Sequence, residues 1–393
     1  MTSELALYVH WPFCVSKCPY CDFNSHVRAT IDQDAWRDAL LADLDHEARL
    51  LPGRKLTSIF FGGGTPSLMN PSTVAAVIDA ARTQWDAAPN LEITLEANPN
   101  SVEAARFADL SAAGVNRLSL GLQSFDDDAL RFLGRAHSTR EGWKALETAQ
   151  KHFRRVSFDL IYALPGDTEE SWSATLAQAL SLGTSHLSLY ELTIEPGTRF
   201  ASMVAKGQFE PLDADTGAGL YELTDAMTSA AGLPAYEISN HARRGQESRH
   251  NLTYWRYGDY AGIGPGAHGR RLGMRSVRHR KPENFLSAVR RNGHGISEDA
   301  LLTPVEAADE ELVMGLRLRE GIDADAIARR FGLGAIVDWR RADRLVASGH
   351  LTRVDDRIAL TAAGRLLLDW ILAEISADAA PLTSAGQPES AAA

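Results

Sequence analysis

The cysteines of this chain lie close together: Cys14, Cys18 and Cys21 are the only three, and they fall within eight residues. A four-iron, four-sulfur cluster normally takes four cysteine thiolates, so three would leave one iron free to bind a small molecule. A structural zinc site would need a fourth ligand, which His10 or His26 could supply, and a disulfide would leave one cysteine over. The Cx3CxxC spacing favours the iron–sulfur cluster.

A glycine run follows a predicted strand in the segment Phe61-Gly-Gly-Gly-Thr-Pro-Ser67. Glycine permits positive φ and lets the main chain approach a ligand closely. The backbone groups of Gly63, Gly64 and Thr65 could therefore bind amino and carboxylate groups, while a glycine run alone also fits a plain turn. Tyr20, between the second and third cysteines, could shield a cluster or only pack.

Polar side chains stand at or just after the ends of later predicted strands: Glu96, Gln123, Arg135 and Asp159. A carboxylate suits an ammonium group or a ribose hydroxyl, an amide can donate and accept, and a guanidinium pairs with a carboxylate in bidentate fashion. Each residue alone is more often a surface or capping group. Because they follow successive strands, together they predict a cofactor site.

These residues need a scaffold of strands and helices. The sequence predicts strands at 6–10, 58–61, 91–96, 117–122, 156–161 and 186–191, and amphipathic helices at 34–51, 71–85, 102–113 and 169–182. Strands that alternate with helices indicate βα units and a parallel sheet. Six units in about 190 residues fit a partial (β/α)6 barrel better than an eight-fold one, and sites in such folds lie at the carboxyl ends of the strands. The predicted fold class is therefore α/β.

The chain divides into four predicted regions: an α/β core at 1–235, an extension at 236–300, a small winged-helix-like α+β domain at 301–375 and a disordered tail at 376–393. The tail is small, polar and proline-containing, which is typical of disorder. The extension is first rich in aromatic, histidine and glycine residues. It then becomes a basic stretch, defined by Arg270, Arg271, Arg275, Arg278, Arg280, Lys281, Arg290 and Arg291.

The composition is ordinary for a soluble globular protein, with 393 residues of which 45% are hydrophobic and 23% charged. The net charge of −11 argues against a nucleic-acid partner. No signal peptide is visible, and no apolar run approaches the about 18 residues that a membrane span needs, so we expect a cytoplasmic protein.

The cysteine spacing, the glycine run and the polar strand ends together resemble the radical-SAM superfamily, and within it the coproporphyrinogen-oxidase-like family. The resemblance extends over nearly the whole chain. It implies a [4Fe-4S] cluster held by Cys14, Cys18 and Cys21, with S-adenosylmethionine (SAM) bound at the open iron. The SAM contacts that it implies are Tyr8, Tyr20, Gly63, Gly64, Thr65, Glu96, Gln123, Arg135 and Asp159.

The family includes oxygen-independent coproporphyrinogen III dehydrogenases and HemW-type heme chaperones. The dehydrogenases have a further cysteine two residues after the third, where this chain has Phe23, and a longer segment before the cluster. The segment His250-Asn-Leu-Thr-Tyr-Trp255 resembles the HNxxYW motif associated with heme in the chaperones. The resemblance therefore implies the chaperone type, with His250 in contact with heme. Judged from the residues alone, His250 also fits a buried hydrogen-bonding group, as a lone histidine usually is.

The resemblance implies a protein that binds heme and delivers it to acceptor hemoproteins, which we expect to be membrane respiratory proteins. A peripheral membrane location and a heme-linked homodimer are further expectations. The basic stretch could meet heme propionates, form a solvated face, or dock on acidic lipid or an acidic partner. The alternatives are an oxygen-independent coproporphyrinogen III dehydrogenase, which carries out radical-SAM oxidative decarboxylation, and another radical-SAM tetrapyrrole enzyme. Phe23 weighs against the dehydrogenase.

Overall fold

The computed structural model describes residues 4–377, which form two compact units. The first unit comprises residues 4–254 and 258–300, and the second comprises 255–257 and 301–377. The tail predicted at 376–393 lies outside the described residues from 378 onward. Its first residue, Ser376, forms a β-bridge with Val337 in the second unit.

Six parallel strands form the partial barrel of the first unit, and each predicted strand corresponds to one of them. They are β1 Glu4–Trp11, β4 Lys55–Gly63, β5 Asp86–Ala97, β6 Arg117–Gln123, β7 Arg155–Tyr162 and β8 His186–Glu191, adjacent in that order. Two short parallel strands, β2 Phe13–Cys14 and β3 His26–Val27, bracket the cysteine loop. The carboxyl ends of the six strands therefore meet at one edge, as the (β/α)6 prediction requires.

Helices connect and flank these strands. They are α1 Gln33–Leu50, α2 Pro71–Gln84, α3 Ser101–Ala104, α4 Phe107–Ala112, α5 Asp127–Phe132, α6 Thr139–His152, α7 Glu169–Ser181, α8 Arg199–Ala205 and α9 Ala214–Ala230. Side-chain caps fix several starts; Ser138 and Glu141, for example, form a capping box at α6. The helix predicted at 102–113 is instead two short helices. The break lies at Arg106, whose guanidinium donates to the carbonyls of Ser67 and Met69.

The extension continues the same sheet at both edges. Strand β9 Asn240–Ala242 pairs with β8, and helix α10 Arg249–Trp255 follows it. Strand β10 Tyr260–Ile263 pairs parallel with β1. Strands β11 His268–Arg271, β12 Met274–Arg278 and β13 Ile296–Leu301 then extend that edge, with α11 Pro282–Asn292 before the last.

Part of the basic stretch is buried, which corrects its interpretation as one solvated or ligand-facing surface. Arg278 is fully buried and forms ion pairs with Asp43 and Glu47 on α1. Arg271 is buried and pairs with Glu47 and Asp299. A buried guanidinium needs such carboxylate partners because desolvation of an unpaired charge is costly. These arginines hold the hairpin β11–β12 against α1 and cannot meet a ligand at the surface.

The second unit contains the region for which the sequence predicts a winged-helix-like domain. Its helices are α12 Pro304–Gly315, α13 Ala324–Phe331, α14 Trp339–Ala347, α15 Ala362–Arg365 and α16 Leu368–Ile375. A three-stranded antiparallel sheet has the order β14 Ile322–Asp323, β16 Arg357–Leu360, β15 Leu351–Val354. Among residues 4–377, no helix combines the length and the apolar character needed to cross a bilayer.

Candidate cofactor site

A cavity of about 400 Å³ lies at the carboxyl ends of the barrel strands. This volume is within the range of small-molecule sites in proteins. The cavity brings together eleven of the thirteen predicted site residues: Cys14, Cys18, Tyr20, Cys21, Gly63, Gly64, Thr65, Glu96, Gln123, Arg135 and Asp159. It does not include Tyr8 or His250.

The three cysteines line this cavity, with Cys14 at the end of β2 and Cys18 and Cys21 on the loop that leads to β3. Each sulfur has a polar neighbour: Thr65 Oγ1 lies 3.5 Å from Cys14 Sγ, Arg135 donates to Cys18 Sγ at 3.4 Å, and a serine hydroxyl lies 3.9 Å from Cys21 Sγ. Burial raises the pKa of the Cys14 and Cys21 thiols. Donors aimed at sulfur stabilise thiolates, the form that binds iron.

The cysteines do not gather around a single point. Among residues 4–377, no three His, Cys, Asp or Glu side chains are placed to hold one metal ion. In a [4Fe-4S] cluster the cysteine thiolates are distributed over its irons, so its ligands need not converge as zinc ligands do. The loop and its three donors therefore fit a cluster with three protein ligands.

Arg135 and Gln123 bring unsatisfied polar atoms to the cavity. Arg135 is held by Asn98 Oδ1 at 2.5 Å and by the Gly121 carbonyl at 3.0 Å, yet its Nε has no hydrogen-bond partner. The Gln123 Oε1 atom is likewise buried without a partner, and Gln123 has a φ of 67°. A strained residue and orphaned polar atoms are typical of ligand sites, where the ligand completes the hydrogen bonding.

Two carboxyl groups, those of Glu96 and Asp159, line the cavity. Burial, with a further contribution from the nearby Asp159 charge, raises the pKa of Glu96 to about 8. Burial also raises the pKa of Asp159 to about 6, opposed by hydrogen bonds from Ser188 and Ser119. A carboxyl group with a raised pKa in a cavity indicates a site that becomes charged when a cation binds.

Close packing within the protein explains in part why this run consists of glycines. A Cβ at Gly63 would lie 2.6 Å from the His10 ring, and one at Gly64 would lie 2.7 Å from the Phe13 carbonyl oxygen. Gly63 also has a φ of 111°, and its N–H donates to Glu96 Oε2 at 3.2 Å. These contacts fix the run against the start of the cysteine loop, and its other side lines the cavity.

The two remaining predicted residues lie beneath the cavity. Tyr8 is on the inner face of β1, and its hydroxyl is 2.9 Å from His10 Nδ1. His250 is on α10, is only 6% exposed, and has Ser58 Oγ 3.4 Å from its Nδ1. Burial lowers the pKa of His250 to about 4, so its imidazole is neutral near pH 7.

The prediction missed Asn98 as a site residue. Its amide donates to Thr65 Oγ1 at 3.0 Å while its Oδ1 accepts from Arg135, so it joins the glycine run to the cationic side of the cavity. Asn98 lies two residues after Glu96 in the segment Glu-Ala-Asn-Pro. Its position so close to Glu96, a carboxylate at the end of a predicted strand, is the sequence feature that could have identified Asn98 as a site residue.

The fold and the cavity define a class of protein. Residues 8–179 match the Radical SAM superfamily, and 302–367 match the HemN C-terminal domain. The solved structure of coproporphyrinogen III oxidase (HemN) from Escherichia coli superimposes with a TM-score of 0.80, covering 95% of this chain and 90% of that one, at 24% identity. The protein therefore has the radical-SAM, HemN-like fold, and membership of this superfamily implies a [4Fe-4S] cluster and SAM.

Comparison with curated proteins defines the family more closely. The heme chaperone HemW of Escherichia coli (strain K12) is 38% identical over 94% of this chain and 97% of its own length. The heme chaperone HemW of Mycobacterium tuberculosis (strain ATCC 25618 / H37Rv) is 37% identical over 93% of each. The mitochondrial radical S-adenosyl methionine domain-containing protein 1 of Bos taurus is 42% identical over 82% of this chain and 75% of its own. The chain belongs to the HemW family.

Proposed function

We propose that this protein is a heme chaperone, which binds heme and passes it to an acceptor hemoprotein. The observation that carries the proposal is the similarity to curated heme chaperones over almost the full length of both chains, at 38% identity in the Escherichia coli protein. Similarity of this extent includes both the barrel and the HemN C-terminal domain.

We assign the cluster to Cys14, Cys18 and Cys21, whose loop and polar neighbours suit thiolates. The cluster, when bound, supplies an electron to the sulfonium of SAM. Arg135 lines the same cavity and also contacts the cysteine loop, because its guanidinium donates to Cys18 Sγ. It therefore places positive charge beside an anionic cluster.

We assign the SAM site to the other residues that line this cavity. The carboxylate of Glu96 suits the SAM ammonium group, and Arg135 suits the SAM carboxylate. Asp159 and the orphaned amide oxygen of Gln123 suit the ribose hydroxyls. The backbone of the glycine run at Gly63, Gly64 and Thr65 contributes further hydrogen-bonding groups, and Tyr20 contributes an aromatic surface for adenine. Tyr8 lies outside the cavity, so its contribution is indirect.

Phe23 supports the chaperone over the dehydrogenase. It lines the cavity and exposes 60% of its surface, at the position where the dehydrogenases carry a further cysteine. A phenyl ring cannot ligate a metal, but it offers a flat apolar surface of the kind a porphyrin covers. Phe23 also provides no thiolate at this position.

On the basis of the HNxxYW motif, we propose His250 as a ligand of the heme iron. Its buried position means that it can take this role only after a conformational change. A neutral imidazole is a good axial ligand. Since the ring is buried against Phe60 at 4.9 Å between centroids, ligation requires α10 to leave this position. Heme binding at His250 therefore predicts a conformational change in α10.

The proposed acceptor is a membrane-bound respiratory hemoprotein, which the protein meets at the membrane surface. Four exposed members of the basic stretch, Arg280, Lys281, Arg290 and Arg291, suit an acidic surface, unlike the buried arginines. Arg275 is also exposed but pairs with Glu298. A heme-linked homodimer is a further part of the proposal.

An anaerobic heme titration of the cluster-reconstituted protein, followed by absorbance, tests the proposal. We expect stoichiometric binding, weakened in His250→Ala but not in His152→Ala, which removes an exposed histidine on α6. Failure of the wild-type protein to bind heme would overturn the chaperone. Conversion of coproporphyrinogen III in the presence of SAM and a reductant would then identify the dehydrogenase instead.

A further inference from the structure

In the described conformation the imidazole of His250 is part of an aromatic column inside the barrel. Its ring stacks on Phe60 with centroids 4.9 Å apart and lies 6.0 Å from the ring of Tyr8. Ser58 Oγ approaches its Nδ1 at 3.4 Å, and only 6% of the residue is exposed. His250 therefore fills space beneath two rings of the inner sheet face.

The upper end of this column supports the glycine run. Tyr8 and Phe60 are register partners on β1 and β4, with ring centroids 6.3 Å apart. A Cβ at Gly62 would come within 3.0 Å of both rings, so the rings pack directly against the backbone of Gly62. Movement of either ring therefore moves the run that lines the cavity.

A hydrogen-bonded chain leads from the same column to the cysteine loop. His10 Nε2 is 3.0 Å from the carbonyl oxygen of Asn24, which can only accept, so Nε2 carries the proton. Its Nδ1 then accepts from the Tyr8 hydroxyl at 2.9 Å. The His10 ring also lies under Gly63, where a Cβ would come within 2.6 Å of it.

Both branches end at groups that face or frame the cavity. Gly63 N–H donates to Glu96 Oε2 at 3.2 Å, which orients the carboxylate assigned to the SAM ammonium group. Asn24 donates from its amide to the carbonyls of Pro265 and Arg280, each at 2.9 Å, which fixes the loop after Cys21. His250 is thus connected through Phe60 and Tyr8 to both sides of the cofactor site.

We infer that His250 is a positioning residue for the SAM site: its ring holds Phe60 and Tyr8 against the glycine run, and thereby orients Glu96 and the cysteine loop. This role is independent of heme and rests only on the SAM-binding part of the proposed function. It also gives α10, which carries the HNxxYW motif, a structural role in the heme-free protein.

The test is SAM binding by the full-length, cluster-reconstituted protein without heme, measured anaerobically by equilibrium dialysis. His250→Ala removes the ring, whereas His250→Phe keeps a ring and removes both nitrogens. Phe60→Leu removes the neighbouring ring and involves no residue that can bind iron. Ile78→Ala, in the buried face of α2 outside the barrel, controls for a general loss of packing.

We expect His250→Ala and Phe60→Leu each to raise the SAM dissociation constant about tenfold, the equivalent of about 1.4 kcal/mol. His250→Phe and Ile78→Ala should stay within about threefold of the wild type. The spectrum of the reduced cluster on addition of SAM should change in the same order. If His250→Ala does not yield folded protein, Phe60→Leu decides the question.

Two results would overturn the inference: SAM affinity in His250→Ala and Phe60→Leu equal to the wild type, or His250→Phe as weak as His250→Ala. Heme titration of the same samples separates the two proposals. A wild-type protein that binds no heme contradicts the chaperone and leaves the SAM comparison decisive. A loss of heme binding in His250→Phe with SAM affinity retained would show the ligand role and the positioning role together.

Discussion

The buried carboxyl group of Glu96 makes a quantitative prediction about SAM binding. In the SAM-free protein it is enclosed in the barrel with Asp159 nearby, and the Gly63 N–H donates to its Oε2. Burial and the nearby Asp159 charge raise its pKa from 4.5 to about 8, and the hydrogen bond from the Gly63 N–H opposes this rise. An ammonium group that binds there must find a carboxylate, so binding requires loss of the proton that the group holds at neutral pH.

The magnitude follows from the size of the pKa change. A rise from 4.5 to about 8 corresponds to about 5 kcal/mol, which is the penalty on the charged form that a bound cation must offset. Below pH 8 the ionised fraction falls about tenfold per pH unit, and the affinity for a cation falls with it. We therefore expect the affinity for SAM to rise with pH and to level off near the pKa of Glu96 in the folded protein.

The assay compares the SAM dissociation constants of the wild type and Glu96→Gln between pH 5.5 and 7, where the SAM amino group stays protonated. Glutamine has the same shape and does not titrate, so the ratio of the two affinities follows the ionisation of Glu96. Asp159, whose pKa is about 6, is present in both proteins. The ratio of the two affinities should change about 30-fold over this range. A constant ratio would refute the assignment of Glu96 to the ammonium group, as would a Glu96→Gln protein that binds SAM as tightly as the wild type at pH 7.

Three further substitutions give simple expectations. Cys18→Ala should abolish the spectrum of a reconstituted four-iron cluster, and an unchanged iron content would contradict the ligand assignment. Gly63→Ala should weaken SAM binding more than tenfold, since its Cβ would meet the His10 ring at 2.6 Å; Gly53→Ala, which shares a positive φ but has open space, is the control and should bind normally. Arg278→Leu removes the guanidinium that pairs with both Asp43 and Glu47, which leaves Asp43 without its ion-pair partner and Glu47 with Arg271 alone, and should lower the free energy of unfolding by about 3–5 kcal/mol; a denaturant midpoint equal to that of the wild type would contradict the buried network.

The barrel and most of the site could be predicted because their signals are local. Strands of the barrel are short apolar runs, and several site residues, such as Gly63, Glu96 and Gln123, stand at or near the ends of them. In a parallel sheet the carboxyl ends of neighbouring strands share an edge, so sequence order converts directly into proximity. This is why Glu96, Gln123 and Asp159, from three different strands, could be placed in one cavity.

The position of each residue along the barrel axis could not be predicted in the same way. Tyr8 and Gly63 belong to adjacent strands, yet one lies beneath the cavity and the other lines it, because register decides the level of each residue. The motif that contains His250 indicates an association with heme, but it does not indicate where His250 lies relative to the barrel. Only the packing of α10 against Ser58 and Phe60 shows that the imidazole faces the barrel interior.

The basic stretch was misinterpreted for a related reason. Within residues 270–291 the sequence contains one acidic residue, Glu283, so its local pattern indicates uncompensated positive charge. The partners of Arg278 lie on α1, more than 200 residues earlier. Charge compensation over such a separation depends on the tertiary fold and leaves no local signal.

Transfer of heme is the most direct test of the central claim. Protein loaded with one equivalent of heme is mixed anaerobically with an apo-hemoprotein, with and without SAM, and the Soret band is followed as heme changes its ligands. The account predicts that heme moves to the acceptor from the loaded protein and that the tetrapyrrole is recovered unaltered. Retention of heme, or a chemically modified tetrapyrrole after addition of SAM and reductant, would contradict the chaperone and indicate an enzyme.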